Sequence, residues 1–292
     1  MLAPVTDDDL RAMQELASRT WHRGARHHPG QLAWSARYAE GLDSGPVRFW
    51  SEDGVAAAWA WAEESTVLEV CVDAAHPFVI DVARAAVSWF VDQAPTDEPS
   101  STTVLATEHH LLDVLREAGF VDEGGPWFTH HHLDLADLGE VPDVPGYRFR
   151  AVTDGESAQR AACHRAAWSS PGAPSRVTTA AYARLMQVPF YRPELDWVAV
   201  APDGSWVASC LTWLDPTTGV VLIEPVGCAL QHRRRGLASA VSLAALHAAR
   251  DAGATEALVC PRGDQGYPAP GVLYRQLGFV PGERTVTLNR YP

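Results

Sequence analysis

The stretch QHRRRGLA, residues 231–238, joins an apolar run, 220–229, to an alanine-rich segment, 239–249. A strand followed by a turn and a helix gathers the unpaired N–H groups of the first helical turn at the positive end of the helix dipole. Glycine lets a bulky anion approach that backbone, and arginine side chains donate paired hydrogen bonds to phosphate oxygens. The stretch therefore predicts a pyrophosphate-binding turn, although three arginines alone more often form a solvated helix entry.

The chain repeats one series of elements. Segments 2–21 and 149–168 align without a gap, sharing Val-Thr-Asp near the start and a tryptophan at the end. In each copy an Asp-Gly turn then joins two apolar runs, which is a strong signature of a β-hairpin. The later matched segments are 47–61, 65–76 and 115–120 in the first copy and 197–213, 220–232 and 274–279 in the second. The order of strand, helices, hairpin, strand, helix, strand, helix and strand predicts one α/β unit that is used twice.

A linker separates the two copies. The segment LADLGEVPDVPGY, residues 135–147, contains acidic residues, prolines and glycines that break the periodicity of the flanking segments. At 292 residues the chain is also long for one ordinary domain. We therefore predict two domains, residues 1–143 and residues 144–292.

The two copies differ at the turn that begins the central helix. The sequence HPFVI, residues 76–80, aligns with HRRRG, residues 232–236, so the first copy lacks the arginines and the glycine together. Leu115 likewise stands where the second copy has Tyr274. The joint loss of an anion-binding turn and a hydroxyl group indicates that the first copy is degenerate and that the second carries the site.

Composition limits the partners and the chemistry. The net charge is −13, so a basic face for nucleic acid is not expected. All 23 basic residues are arginine, which excludes the lysine chemistry of pyridoxal phosphate enzymes and P-loop nucleotide sites. The five cysteines are scattered without metal-ligand spacing, so no metal is expected. The chain has no apolar run long enough to span a membrane and no signal-peptide pattern, which predicts a cytoplasmic protein without a membrane partner.

Two motifs resemble those of the GNAT superfamily of N-acetyltransferases. The pattern RxxGxA, residues 233–238, is similar to the family's acyl-CoA pyrophosphate motif, and LYRxxGF, residues 273–279, is similar to its C-terminal motif. The resemblance covers about residues 145–290, and the arrangement in two units is similar to that of mycothiol synthase without indicating the same substrate. It implies an α/β (α+β) fold of two tandem GNAT-like units, each a mixed, splayed, mostly antiparallel sheet flanked by helices.

The resemblance implies acetyl-CoA as the cofactor. It places the pantetheine arm between strands at about 220–229 and 254–260, and Pro225 and Gly227 favour a bulge that opens the sheet there, because proline cannot donate to a ladder. The implied contacts to pantetheine are backbone groups of Val226, Gly227 and Cys228. The implied contacts to the pyrophosphate are Arg233, Arg234, Arg235, Gly236, Leu237, Ala238 and Ser239.

Glu224 is our candidate for the general base, since it lies on the strand beside the expected cleft. In GNAT enzymes the amine attacks the thioester directly, so a base must remove a proton from the amine. Many members carry a catalytic glutamate nearer the position of Leu222. Water, Glu194 and Asp196 are therefore alternatives for the base, and a structural carboxylate at a strand bulge is the alternative interpretation of Glu224.

The resemblance implies that Tyr274 is the general acid, with its hydroxyl group beside the thioester sulfur. The expected reaction transfers an acetyl group from acetyl-CoA to a primary amine of a small-molecule acceptor, by direct attack in a ternary complex. A non-catalytic CoA-binding sensor or scaffold protein is the alternative function.

Contacts to the acceptor are expected from loops and aromatic residues. The segment 169–192 is expected to cover the cleft, and the loop 262–268 replaces an asparagine that many family members carry ahead of the tyrosine helix. Trp197, Trp206 and Trp213 are expected to help form the acceptor pocket. The run HHH, residues 130–132, predicts edge-strand or surface histidines rather than a metal site, since neighbouring strand residues point to opposite faces.

Overall fold

A computed structural model describes residues 5–22, 25–38, 45–170 and 172–292. The first half contains α1 (Asp7–Arg19), α2 (Pro29–Arg37), β1 (Val47–Glu52), β2 (Val55–Glu63), β3 (Val67–Val72), α3 (Val79–Val91), β4 (Ser100–Leu105), α4 (His109–Glu117), β5 (Val121–Asp122) and β6 (Thr129–Asp134). The second half contains β7 (Arg148–Ala151), α5 (Ser157–Trp168), α6 (Thr179–Leu185), β8 (Asp196–Val200), β9 (Trp206–Asp215), β10 (Val220–Cys228), α7 (Leu237–Asp251), β11 (Glu256–Val259), α8 (Ala269–Gln276) and β12 (Val280–Arg290). The short strand predicted at the start of the first copy falls mainly outside the described residues. No helix within these ranges has both the length and the apolar character needed to cross a lipid bilayer.

The described strands form one continuous sheet in the order β1-β2-β3-β4-β12-β6-β11-β10-β9-β8-β7, with β5 beside β12. The final strand of the chain, β12, lies antiparallel to β4 of the first half over residues 285–290 and 100–105. The final strand of the first half, β6, lies antiparallel to β11 of the second half over residues 131–134 and 256–259. The two halves have therefore exchanged their last strands, which the repeat did not predict. The predicted domain boundary at residues 143 and 144 lies between β6 and β7 and stays a prediction.

In both halves the central pair of parallel strands separates after a few residues. β3 pairs with β4 only at residues 67–68 and 101–102, and β10 pairs with β11 only at residues 220–222 and 256–258. The register of β10 with β9 shifts between Ile223 and Val226, around Pro225, which has no N–H to donate. The predicted bulge is confirmed. Beyond it, the edge of β10 that faces β11 is unpaired in the part of the chain that is described.

Helices cover both faces of the sheet. On one face α3 and α4 pack on first-half residues such as Val70 of β3, and α7 packs on Val221 and Ile223 of β10. On the other face α1 packs on Trp59 of β2, and α2, α5 and α6 pack on Leu222 of β10 and Trp213 of β9. This alternation follows from the two-residue period of a strand. The mixed α/β fold predicted from the sequence is confirmed.

Helix α2 belongs to the first half but packs on both halves. Leu32 lies in the core of the first half, whereas Trp34 lies in the core of the second half. Gly30 permits the contact with the second half, because a Cβ atom there would lie only 2.1 Å from Cβ of Trp213. The helix is therefore fixed against the sheet of the second half.

The prediction for the three consecutive histidines is wrong. His130, His131 and His132 lie on β6, between β12 and β11 in the interior of the sheet, and all three are buried. Burial lowers the pKa of His130 to about 4, so its ring is neutral near pH 7. The exchange of strands is the reason, since it moves β6 from the edge of its own half to the middle of the sheet.

Candidate active site

A cavity of about 610 Å³ opens where β10 and β11 separate. β10 supplies residues 222–226 to its wall, the end of β11 and the next residue supply Val259 and Cys260, and α8 supplies Tyr274. This volume lies within the range of about 300–1,000 Å³ that is usual for small-ligand sites. The predicted base and the predicted acid, Glu224 and Tyr274, therefore line the same cavity. Residues 173–177 also line it, as expected for the segment 169–192.

Glu224 lies in the bulge of β10, and its carboxyl group forms no ion pair with the described residues. Burial without a compensating positive charge disfavours the ionised form and raises the pKa of Glu224 from 4.5 to about 7. The backbone carbonyl of the same residue accepts a hydrogen bond of 2.7 Å from Nε1 of Trp213. The carboxyl group is thus anchored at its backbone and titrates near neutral pH, as a general base requires.

The two other candidate carboxylates are engaged elsewhere. Asp196 is fully buried, where its Oδ1 lies 2.8 Å from Nε of Arg160 and its Oδ2 accepts hydrogen bonds from two tyrosine hydroxyl groups. Glu194 pairs with Arg192 at the surface, at 2.9 Å. Neither carboxylate lines the cavity. Of the three candidates, only Glu224 is placed where an acceptor could bind.

Tyr274 lies on α8 and is only 6% exposed. Burial raises the pKa of its hydroxyl group above 10, and the nearby Cys210, Cys260 and Glu224 raise it further. The ring packs edge-on against Phe279, with 5.6 Å between the ring centroids. The phenol is therefore held rigidly, stays protonated near pH 7 and has a proton to donate.

The turn between β10 and α7 presents a row of unpaired amides. Arg234 and Gly236 have positive φ angles of 65° and 80°, and Gly236 is the N-cap of α7. No acceptor in the described ranges takes a hydrogen bond from the amides of residues 234–239, whereas the next amide, that of Ala240, donates to O of Gly236 at 3.0 Å. A Cβ atom on Gly236 would meet no atom within 4 Å. The turn is open and lined with donors, which suits a phosphate group.

The three arginines of the turn have different surroundings. Arg233 donates to the carbonyl oxygens of Cys228 at 3.0 Å and Ala167 at 3.1 Å, so its side chain ties the turn to β10 and α5. Arg234 and Arg235 are exposed. The structure therefore places Arg233 as a support for the turn and leaves the other two guanidinium groups facing solvent.

Residues 226–228 pair with β9 on one side only. Their other edge is left for an extended ligand, as the prediction for the pantetheine arm requires. A Cβ atom on Gly227 would lie 2.6 Å from Nε1 of Trp168, so glycine lets the end of α5 close over the strand. Leu237 is buried in the core, so only its amide faces the turn, whereas Ala238 and Ser239 are partly exposed.

One side chain fills the equivalent gap in the first half. Nη1 of Arg26 lies 3.0 Å from the carboxylate of Glu69 on β3, and its Nε lies 3.0 Å from that of Glu108, just after β4. The same guanidinium group donates to the carbonyl oxygen of Val70, and Arg26 is buried. An arginine therefore occupies this gap in the first half, beside a smaller cavity of about 260 Å³ that Glu224 also lines, where the second half has the cavity of about 610 Å³.

The sequence did not identify the aromatic wall of the cavity. This wall contains four side chains from α2, its C-cap and α5: Trp34, Tyr38, His164 and Trp168. Trp197, Trp206 and Trp213 do not line the cavity, so the prediction for these residues is wrong. No local signal indicates that α2 reaches the second half, because that contact depends on Gly30 meeting Trp213 across the fold.

Comparison with known proteins identifies the fold. No family model matches the chain, and no curated protein matches it. A GCN5-related N-acetyltransferase from Sphaerobacter thermophilus is similar over 99% of this chain and 94% of its own, with a TM-score of 0.65 and 22% identity. A tandem GNAT protein from the clavulanic acid biosynthesis pathway is similar over 98% of this chain and 96% of its own, with a TM-score of 0.66 and 17% identity.

A third solved structure agrees with these two. An acetyltransferase of the GNAT family from Colwellia psychrerythraea is similar over 96% of this chain and 97% of its own, with a TM-score of 0.64 and 14% identity. All three likenesses extend over both halves of the chain. The predicted resemblance is confirmed at the level of structure: the chain has the fold of GNAT N-acetyltransferases in its tandem, two-unit form.

Proposed function

We propose that the chain is an acetyl-CoA-dependent N-acetyltransferase that acts on a primary amine of a small molecule. One observation carries the proposal: Glu224 and Tyr274 line the same cavity, at the point where β10 separates from β11. Because one fold can host many reactions, the shared GNAT fold supports the reaction class but does not determine it. The chemistry of the cavity is the stronger argument.

The residues around the cavity fit acetyl-CoA. The unpaired amides of residues 234–239, with Arg234 and Arg235 beside them, would hold the pyrophosphate. The free edge of residues 226–228 would hold the pantetheine arm. When bound, acetyl-CoA supplies the acetyl thioester that reacts with the amine.

Two side chains divide the proton transfers. Glu224 takes a proton from the attacking amine while the bond between the amine nitrogen and the acetyl carbon forms. The hydroxyl group of Tyr274 would supply the proton that CoA needs in order to leave as a thiol when its bond to the acetyl group breaks. Glu224 then releases its proton to solvent and Tyr274 regains one, so both groups return to their starting states. The acceptor must enter while acetyl-CoA is bound, since attack is direct.

Calorimetric titration with CoA tests the binding site. We expect the unaltered protein to bind CoA and Gly236→Leu to weaken binding by about tenfold or more, because a side chain there covers the unpaired amides. Gly204→Leu is the matched control: Gly204 also has a positive φ angle, 86°, and open space around its Cβ position, but lies in the β8–β9 turn. Equal CoA binding by both variants would contradict the proposal.

The alternative of a CoA-binding sensor makes a different prediction. A sensor would bind CoA yet transfer no acetyl group to any amine in a broad panel. In addition, Tyr274→Phe would leave every measurable property unchanged. Acetyl transfer to any amine, detected as free CoA together with the acetylated product, excludes the sensor.

A further inference from the structure

The wall of the cavity is built from stacked rings. The Trp34 and Tyr38 rings are nearly parallel, with 5.5 Å between their centroids, and His164 and Trp168 are stacked at 5.8 Å. Trp34 meets His164 at 5.4 Å, which joins the two pairs into one surface. Burial lowers the pKa of His164 to about 3, so this ring is uncharged near pH 7. The two stacked pairs meet at an angle of 50° between the Trp34 and His164 rings, so the surface is angled, aromatic and neutral.

Both halves of the chain build this surface. Trp34 and Tyr38 come from the first half, whereas His164 and Trp168 belong to the second. The position of α2 is fixed next to Trp34, because Nε2 of His28 lies 3.2 Å from the carbonyl oxygen of Val220 and would donate to it. The wall is thus preorganised and requires no movement of α2 when a ligand binds.

One charge on the cavity wall has no partner. Among the described residues that line the cavity, three carry charge: Glu224, Arg176 and Arg262. Arg176 pairs with Glu64 at 2.8 Å, and Arg262 pairs with Asp264. Of these three, only the carboxyl group of Glu224 is available to pair with a cationic ligand.

The rest of the lining offers few hydrogen-bonding partners. It is mostly apolar, with Phe128, Val177, Leu222, Pro225 and Pro270 among its residues. A sugar carries several hydroxyl groups that would each lose water on entering, and the lining has few side chains, such as Ser175 and Tyr267, to replace those hydrogen bonds. A flat apolar ring loses no hydrogen bonds and gains contact with the stacked surface.

We infer that the acceptor is an arylalkylamine: its aromatic ring stacks on the surface formed by Trp34, Tyr38, His164 and Trp168, and its primary amine reaches Glu224. This inference rests on the proposed acetyl transfer. The amine arrives as an ammonium ion, loses one proton to solvent and a second to Glu224, and forms the amide while CoA leaves as the thiol. The aromatic faces also favour the cationic form during entry.

Acceptor preference is the first test. Transfer from acetyl-CoA is measured with tryptamine, butylamine and glucosamine. We expect kcat/KM for tryptamine to exceed the other two values by about tenfold or more, because only tryptamine can stack. An equal or higher kcat/KM for glucosamine or butylamine would overturn the inference and leave the proposed function standing.

A binding measurement covers the case in which none of the three amines reacts. Tryptamine is then titrated into protein loaded with CoA. Binding supports the inference, and the absence of binding overturns it. Failure of the unaltered protein to bind CoA at all would instead overturn the proposed function, so the two failures are distinguishable.

Substitution of Trp168 tests whether the preference for tryptamine depends on the aromatic wall of the cavity. This side chain is 52% exposed, so Trp168→Ala is expected to leave the fold intact. We expect the ratio of kcat/KM for tryptamine to kcat/KM for butylamine to fall about tenfold, because any effect of Trp168 on CoA through Gly227 cancels in that ratio. Trp168→Phe should retain most of the affinity. The matched control is Trp50→Ala, since Trp50 packs against Trp89 in the first half, away from the cavity. The same ratio in Trp168→Ala and Trp50→Ala would contradict the inference.

Discussion

The two halves share one order of helices and strands but differ at three equivalent places. The turn before the central helix has HPFVI in the first half and HRRRG in the second. The gap between the separating strands holds Arg26 in the first half and an open cavity in the second. The helix before the last strand carries Leu115 in the first half and Tyr274 in the second.

These differences separate the requirements of the fold from those of the site. Both halves separate their central strands, and both begin a helix after the first of them. A helix N-terminus is therefore common to both, and what distinguishes the second half is Gly236 with its positive φ angle and the unpaired amides that follow. The fold supplies the location, and a small number of side chains decide whether it becomes a site.

The largest expected effect comes from the carboxyl group in the cavity. We predict that Glu224→Gln lowers kcat/KM by about 10²–10⁴, the usual contribution of a general base. Glu63→Gln is the matched control, because burial also raises the pKa of Glu63, to about 8, but this first-half residue does not line the cavity. Steady-state kinetics on the best amine acceptor checks the difference, and a decrease of less than threefold in Glu224→Gln would assign the proton transfer to water.

The arginine of the first half is expected to control stability rather than activity. Arg26→Met leaves two partly buried carboxylates without their partner, which lowers the free energy of unfolding by about 3–5 kcal/mol. The triple variant Arg26→Met, Glu69→Gln and Glu108→Gln removes those charges and should regain most of the loss. Urea unfolding measures both.

The Arg26→Met variant also tests which feature makes the two halves differ in CoA binding. Removing Arg26 opens the gap in the first half but does not create an anion-binding turn, so calorimetry should still find one CoA bound per chain. A second CoA in Arg26→Met would show that the side chain, and not the turn, decides which half binds the cofactor.

Replacing the acid is expected to have an intermediate effect. Tyr274→Phe keeps the ring and its packing on Phe279 but removes the hydroxyl proton. We predict that kcat falls by roughly 10- to 100-fold with no change in the CoA dissociation constant, since the proton is needed only as the thiol leaves. An unchanged kcat would show that solvent supplies the proton.

The smallest expected effect is a pH dependence. Because the pKa of Glu224 is raised to about 7, the base is present only above that pH, so kcat/KM should rise with pH and level off above about 7. Stability changes in the opposite direction: between pH 4.5 and 7 the folded state binds more protons than the unfolded state, so the free energy of unfolding falls as pH rises. Glu224→Gln should therefore lose the pH dependence of the rate and resist urea better at pH 8 than the unaltered protein.

Local signals in the sequence located the central parts of the site. The turn at Gly236, the bulge at Pro225 and the helix carrying Tyr274 all depend on residues close together in the chain, and the structure has the turn, the bulge and the helix in those places. Each follows from a local rule about glycine, proline or helix periodicity. The catalytic and binding roles of these residues stay predictions.

Contacts between distant residues could not be predicted in this way. A strand such as β12 can pair with any open edge of suitable register, and its choice of β4 depends on how both halves pack. The burial of the three histidines on β6, the position of Arg26 between Glu69 and Glu108 and the aromatic wall from α2 all follow from that packing. These features involve residues that are neighbours only after the chain has folded.

The exchange of final strands also sets the order of events during synthesis. β4 ends at Leu105, but its partner strand β12 begins only at Val280 and is synthesised much later. At about 5–20 residues per second, the roughly 175 residues between them take about 10 to 35 s to translate. During that time β4 has an open edge that can pair with other nascent chains. The sheet of the first half can therefore be completed only after β12, Val280–Arg290, has left the ribosome.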